Sequence, residues 1–250
     1  MTSWLVAGAL AVVAFLYASV GHAGASGYIA VFALGGMPAE QIKPLALLLN
    51  TVVASVGCWN FLRAGYLPWL RIWPVYLLAI PAAFLGGWLN LPAFWFRQLV
   101  GVVLLITAWR LGRALHDPPQ LRAPAPALLM ATGGGLGLLA GLTGTGGGIF
   151  LTPLLLLSRW CTTREAAAVS VLFILLNSMA GLAGLAMSGS TSWQALARPD
   201  LAVWLLTVLL AGGLGSRLGS RHWPVAWIRR ALAVVLVLAS LKLLGLAPRL

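Results

Sequence analysis

The sequence predicts an all-α integral membrane protein made of two inverted repeats, each a glycine-broken, re-entrant-like segment followed by three transmembrane helices. Three observations carry this expectation. Hydrophobic residues make up 61% of the 250 residues and charged residues only 8%, a balance that excludes an ordinary soluble domain. The apolar runs are uniform and lack the strict alternation of a membrane barrel. Glycine clusters interrupt them twice: GGGLGLLAGLTGTGGG over residues 133–148, and a weaker Gly21-His22-Ala23-Gly24-Ala25-Ser26-Gly27. Glycine at that density breaks a helix. A break at membrane depth bares N–H and C=O groups that lipid cannot satisfy. Discontinuous helices in both halves of a membrane protein point to a midplane site for a transported solute.

Taken in order, residues 4–20 begin without the basic flank of a signal peptide and run into further membrane sequence, so they are expected to stay as a segment of the fold. Residues 44–61, 72–89 and 99–109 form the spans of the first repeat, and 166–187, 201–214 and 231–241 those of the second. Each is compatible with a hydrocarbon core of about 30 Å, several with help from their flanks. The first repeat covers residues 1–115 and the second 127–250. Between them lies a polar, proline-rich linker, HDPPQLRAPAP over residues 116–126, since prolines in such density interrupt helices.

The halves match residue by residue. Gly24 and Gly27 pair with Gly144 and Gly147, Leu48-Leu49-Asn50 with Leu175-Leu176-Asn177, and Arg97 with Arg229, the offset growing from 120 to 127 to 132. If each broken segment crossed the membrane once, the sixteen basic residues would divide evenly between the two faces. If each returns or crosses twice, eleven arginines share one face, leaving Lys43, Arg97, Arg198, Lys242 and Arg249 on the other. That bias favours the second arrangement, with a cytoplasmic linker, both termini periplasmic and the two halves inverted.

A net charge of +12 would suggest nucleic acid in a soluble protein. Here the basic residues lie between apolar runs and read as topology signals and contacts to lipid head groups, not as a nucleic-acid surface. Cys58 and Cys161 have no metal-ligand spacing and read as apolar fillers, so neither metal nor cofactor is expected. Tryptophans near the helix ends form an interfacial belt.

The segment from Gly141 to Ile149 can present several backbone amides together with the hydroxyls of Thr143 and Thr145, and an apolar half-helix follows. Amides at a helix start carry partial positive charge, which suits an anion at Gly144, Gly146, Gly147 and Gly148. Ser26 and Gly27 would aim a second half-helix at the same point. Gly133, Gly137 and Gly141 recur every four residues and read instead as a packing seam. A nucleotide loop is excluded by the absence of a preceding strand and of the required lysine. Asn50 and Asn177 lie deep in apolar runs and must face the protein interior, as ligand contacts or as interhelical glue. His22 sits inside the first break, while the acids Glu40, Asp117, Glu165 and Asp200 fall in loops or at helix ends. That makes His22 the candidate for proton coupling. An enzyme is not expected: His22 beside Ser26 is the sole candidate pair for catalysis, and no third group is placed to orient it.

These residues resemble the TauE/SafE family of membrane permeases, often called sulfite exporters. The resemblance rests on GLTGTGGGIFLTP from Gly141 to Pro153, on the segment from Glu165 to Asn177 with its ILLN ending, and on Gly21 to Ala30 with Lys43-Pro44 and Asn50. It spans nearly the whole chain. It implies export of a small anion, typically sulfite, sulfoacetate or another organosulfur compound, across a bacterial inner membrane. In the first copy Ala25, Ser26 and Tyr28 stand where fuller versions of the motif carry glycines, and His22 is added. The sequence reading is therefore a secondary transporter of a small anion, with a passive anion channel and a membrane assembly scaffold as the alternatives.

Overall fold

Glycine interrupts the helices only at some of its positions: Gly24, Gly144, Gly146 and Gly147 take left-handed backbone, whereas Gly133, Gly134 and Gly135 stay helical, as do Pro44, Pro81 and Pro153. The computed structural model describes residues 3–19, 21–89, 92–111, 120–189 and 196–219, with 237, 240, 241, 244 and 245. In chain order the helices are α1 (Ser3–Ala18), α2 (Ala25–Leu34), α3 (Ala39–Arg63), α4 (Trp69–Ile72), α5 (Pro74–Trp88), α6 (Ala93–Leu111), α7 (Pro126–Thr143), α8 (Gly148–Leu157), α9 (Thr163–Met187) and α10 (Leu201–Gly219). No strand occurs among the described residues. Pro74 and Pro126 begin α5 and α7, a position where a missing N–H costs nothing. Pro126, assigned by the sequence to the linker, is thus already helical; residues 112–119 lie outside the described residues. A reciprocal cap starts α9: the Glu165 N–H donates to Thr162 Oγ1 and the Thr162 N–H to Glu165 Oε2, at 3.4 and 2.8 Å.

Among the described residues four helices, α3, α7, α9 and α10, are long and apolar enough to cross a membrane. The expectation of three full spans in each repeat is met only in part. At 15 residues α5 reaches about 22 Å, because Leu89 turns to extended backbone after Trp88. The expected last span, 231–241, lies outside the described residues except at 237, 240 and 241.

Helix α3 packs against α9, α5 lies against both α7 and α9, and α10 lies against α1 and α3. Small residues allow these approaches. Gly133, Gly137 and Gly141 of α7 press on the carbonyls of Val75, Ala79 and Ala83 of α5, where any Cβ would overlap the oxygen. Gly87 meets the Gly181 carbonyl and Gly184 the Phe84 carbonyl, while Gly215 of α10 meets the Phe15 carbonyl of α1. The seam read from the four-residue spacing is therefore real. Apolar side chains have no hydrophobic reason to leave lipid, so close backbone contact of this kind is what holds such helices together. Large apolar residues such as Trp4, Leu70, Phe94 and Met187 stay exposed on the outer surface.

The arginines gather at helix ends. Around the start of α9, Arg71 pairs with Glu165 at 2.9 Å and Arg164 donates to the Tyr66 hydroxyl at 2.8 Å. At the opposite end, Arg198 donates to Gln41 at 3.1 Å.

Candidate functional site

The second glycine break is a reversal of the chain. Helix α7 closes on Gly144 at φ 76°, and Gly146 and Gly147 follow at 72° and 75°. Only glycine adopts three such left-handed conformations in four residues without strain. Helix α8 then runs back beside α7: Gly147 lies against Ala140 and the Leu136 carbonyl, more than a turn below the end of α7. The hairpin is tied at its base, where the Arg122 N–H just before α7 donates to the Arg159 carbonyl just after α8 at 2.7 Å. With 18 and 10 residues, α7 and α8 are about 27 and 15 Å long. The chain thus reverses direction, and α8 begins beside the C-terminal half of α7 rather than beyond its end. Thr143 Oγ1 donates to the Leu139 carbonyl at 2.7 Å and lies 2.9 Å from Thr145 Oγ1. The Thr143 proton being used, Thr145 donates to Thr143 and keeps its lone pairs.

The first break is built alike with different braces. Gly21 and Gly24 take φ 77° and 104°, and Gly24 precedes the first residue of α2. The His22 N–H donates to the Tyr17 carbonyl at 3.0 Å, Tyr28 OH to the Ala23 carbonyl at 2.7 Å, and Tyr17 OH lies 2.9 Å from Ser26 Oγ. Val13 and Tyr17 occupy the space where Gly27 would carry a Cβ, so α2 folds back on α1 through Gly27. Gly27 thus has a packing role, and the Ser26 hydroxyl is engaged by Tyr17. The sequence pairs Gly24 with Gly144; in the structure the residues that precede the two half-helices are Gly24 and Gly147.

Asn50 joins the two breaks. Its carboxamide is 1% exposed; Oδ1 accepts the Ala25 N–H of α2 at 3.1 Å, and Nδ2 donates to Ser178 Oγ at 2.8 Å. Gly146 packs directly on Asn50 Nδ2 and near Ser178 Oγ. The start of α2 and the α7–α8 turn therefore meet at one side chain. Asn177 is also 1% exposed, but neither of its amide atoms has a hydrogen-bond partner among the described residues. It stands one turn beyond Phe173 and Ile174, which touch Gly147 and Gly146, and so shares the face of α9 that borders the turn. A buried amide in this condition costs about 1–3 kcal/mol.

A family model described as Sulfite exporter TauE/SafE matches residues 5–243, across both breaks and both asparagines. The chain belongs to the TauE/SafE family. It is also similar to a protein of Sinorhizobium fredii (strain NBRC 101917 / NGR234) described as probable membrane transporter protein y4hK, at 38% identity over 239 residues, 93% of this chain and 94% of that one. Membership makes this a membrane transporter family protein and points away from an enzyme.

Within this TauE/SafE chain one residue of the site escaped the sequence reading. Lys43, counted there among the cations of an aqueous face, is 8% exposed and lies inside the protein. Its Nζ donates to the carbonyls of Gly86 and Gly87 at 3.1 and 3.2 Å, and its side-chain stem packs on Gly144, 3.3 Å from where a Cβ would stand. Those carbonyls belong to the last turn of α5, where no further helical N–H can reach them. The signal was the position of Lys43 inside the 25-residue α3, one turn from its start and just before Pro44. The turn from Gly144 to Gly148 thus runs from Lys43, past Asn50 and Ser178, to Phe173 and Ile174.

Proposed function

We propose that the protein is a secondary transporter that exports a small oxyanion, such as sulfite or an organosulfonate, across the bacterial inner membrane. The anion would sit where α2 and α8 begin, exposed alternately to the two sides. The observation that carries this reading is Asn177: a fully buried carboxamide without a partner among the described residues, on the helix face that borders a glycine turn and the start of a half-helix. The start of α8 supplies amides that no helical carbonyl can accept from, with a dipole of roughly half an elementary charge. Asn50 holds the start of α2 at the same point, and Gly144, Gly146, Gly147 and Gly148 keep side-chain bulk away from the amides.

Two inverted repeats, residues 1–115 and 127–250, would supply the alternation. Reciprocal contacts support a two-fold relation: Gly86 against the Leu138 carbonyl has its counterpart in Gly215 against the Phe15 carbonyl, and Gly57 against Val171 in Gly181 against Leu47. The termini would be periplasmic and the linker cytoplasmic, as the arginine bias favours. His22, in the first break, would couple transport to protons.

The test is flux into inside-out proteoliposomes, with sulfite, thiosulfate, sulfonates and carboxylates offered in turn. Saturable, gradient-coupled uptake of a sulfur oxyanion is expected, with the same anions raising thermal stability by mass action. Unsaturable flux would make the protein a channel. Absence of both flux and stabilisation would leave a scaffold.

A further inference from the structure

We propose that Lys43 is the charge partner of the transported anion, reaching it from the α5 side of the Gly144 turn. This deepens the transport reading and rests on it. Among the described residues the ion pair is Arg71–Glu165; Lys43 has two carbonyls and no carboxylate. A buried ammonium is costly unless its charge is met, and the C-terminal dipole of α5 meets it only in part. Two of its three protons go to Gly86 and Gly87, which leaves one donor uncommitted. The stem that carries this ammonium packs on Gly144, the first residue of the turn that reaches Asn50 and borders the face of Asn177. A helix cap alone would need only neutral donors. A whole positive charge at this position has a use if a negative one arrives.

The ligand class follows from the donors. A compact ammonium on a flexible stem suits an oxyanion with exposed oxygens, such as sulfite or a sulfonate, and gains little from a neutral molecule of the same shape. Lys43 would supply charge, Asn177 a directed amide, and the α8 start its N–H groups. Anion affinity would then depend on the charge at position 43 and not merely on whether α5 is capped.

The experiment uses the full-length protein in nanodiscs and measures affinity for sulfite and for a small alkylsulfonate by thermal shift and by uptake. Lys43→Gln keeps amide donors for the Gly86 and Gly87 carbonyls but removes the charge, and should weaken anion binding at least tenfold with stability otherwise kept. Lys43→Arg should retain more affinity than Lys43→Gln. Parent-like affinity in Lys43→Gln would overturn the proposal and leave Lys43 a helix cap, with the transport reading intact. A second measurement needs no variant to fold: the parent should bind an alkylsulfonate at least tenfold more tightly than the matching neutral sulfone. Equal binding of the two overturns the proposal even if every Lys43 variant fails to fold. A parent that responds to no anion at all overturns both this proposal and the transport reading.

Discussion

Asn50 Nδ2 donates to Ser178 Oγ across 2.8 Å, linking α3 to α9 at the level where α2 begins, and the Asn50 Oδ1 holds the Ala25 N–H at 3.1 Å. Asn177, one residue before Ser178, holds nothing among the described residues. Two asparagines that read alike in sequence therefore have opposite energetics. Asn50→Leu strands a buried N–H and a buried hydroxyl and should cost about 2–3 kcal/mol of stability. Asn177→Leu breaks no bond and should leave the anion-free protein as stable as the parent or more so, yet abolish its stabilisation by sulfite. Thermal unfolding of both variants with and without anion reads the difference, and equal destabilisation would count against a ligand role for Asn177.

The glycines of α7 divide by what lies opposite each one. Gly135 has nothing within 4 Å of a Cβ, so Gly135→Ala should be neutral or stabilise by about 0.5–1 kcal/mol through helix propensity. At Gly137 the Cβ would overlap the Ala79 carbonyl, which is backbone and cannot rotate away. Gly137→Ala should sharply lower the yield of folded protein in detergent. Gly146→Leu meets both a left-handed φ of 72° and Asn50, and should lose stability as well as transport.

Membrane sidedness can be read by cysteine labelling of whole cells, because the native thiols Cys58 and Cys161 are both buried. Burial, with Glu165 adding to it, pushes the Cys161 thiol up to about 12. It is neutral at pH 7.5 and unreactive, since the thiolate is the nucleophile. A membrane-impermeant maleimide should therefore label Glu40→Cys, on the proposed periplasmic side, and spare both the parent and Gln120→Cys. The reverse pattern would invert the topology.

His22→Gln should flatten the pH dependence of transport rather than remove activity. An imidazole gains charge as pH falls through its pKa, so anion affinity in the parent should decline as pH rises through that point. Glutamine keeps hydrogen-bonding capacity but does not titrate. Identical pH profiles in parent and variant, corrected for titration of the anion, would make His22 purely structural.

The class of protein, the two breaks and the packing seam were legible because each follows from local chemistry. Apolar length sets the medium, clustered glycines end helices, and Gly133, Gly137 and Gly141 fall on one helix face whatever lies opposite. Gly24 resembles Gly144 in sequence, yet the glycine that precedes the second half-helix is Gly147, because the helix restarts only after the left-handed run ends. Lys43 was misplaced because a cation near a helix start ordinarily reaches water, and only the neighbouring end of α5 makes an interior position tolerable.

The sequence by itself determined that this chain is helical, apolar and broken at two points, because backbone groups in lipid must pair within helices once the alternation of a barrel is missing, and glycine runs interrupt that pairing. Only the tertiary structure decided that α8 doubles back beside α7, that Asn50 is satisfied while Asn177 is not, and that Lys43 turns inward to Gly86 and Gly87. Those outcomes depend on which groups from distant segments come within hydrogen-bonding distance of one another. Spacing along one helix cannot encode them, because the partner of each polar group lies on a different helix.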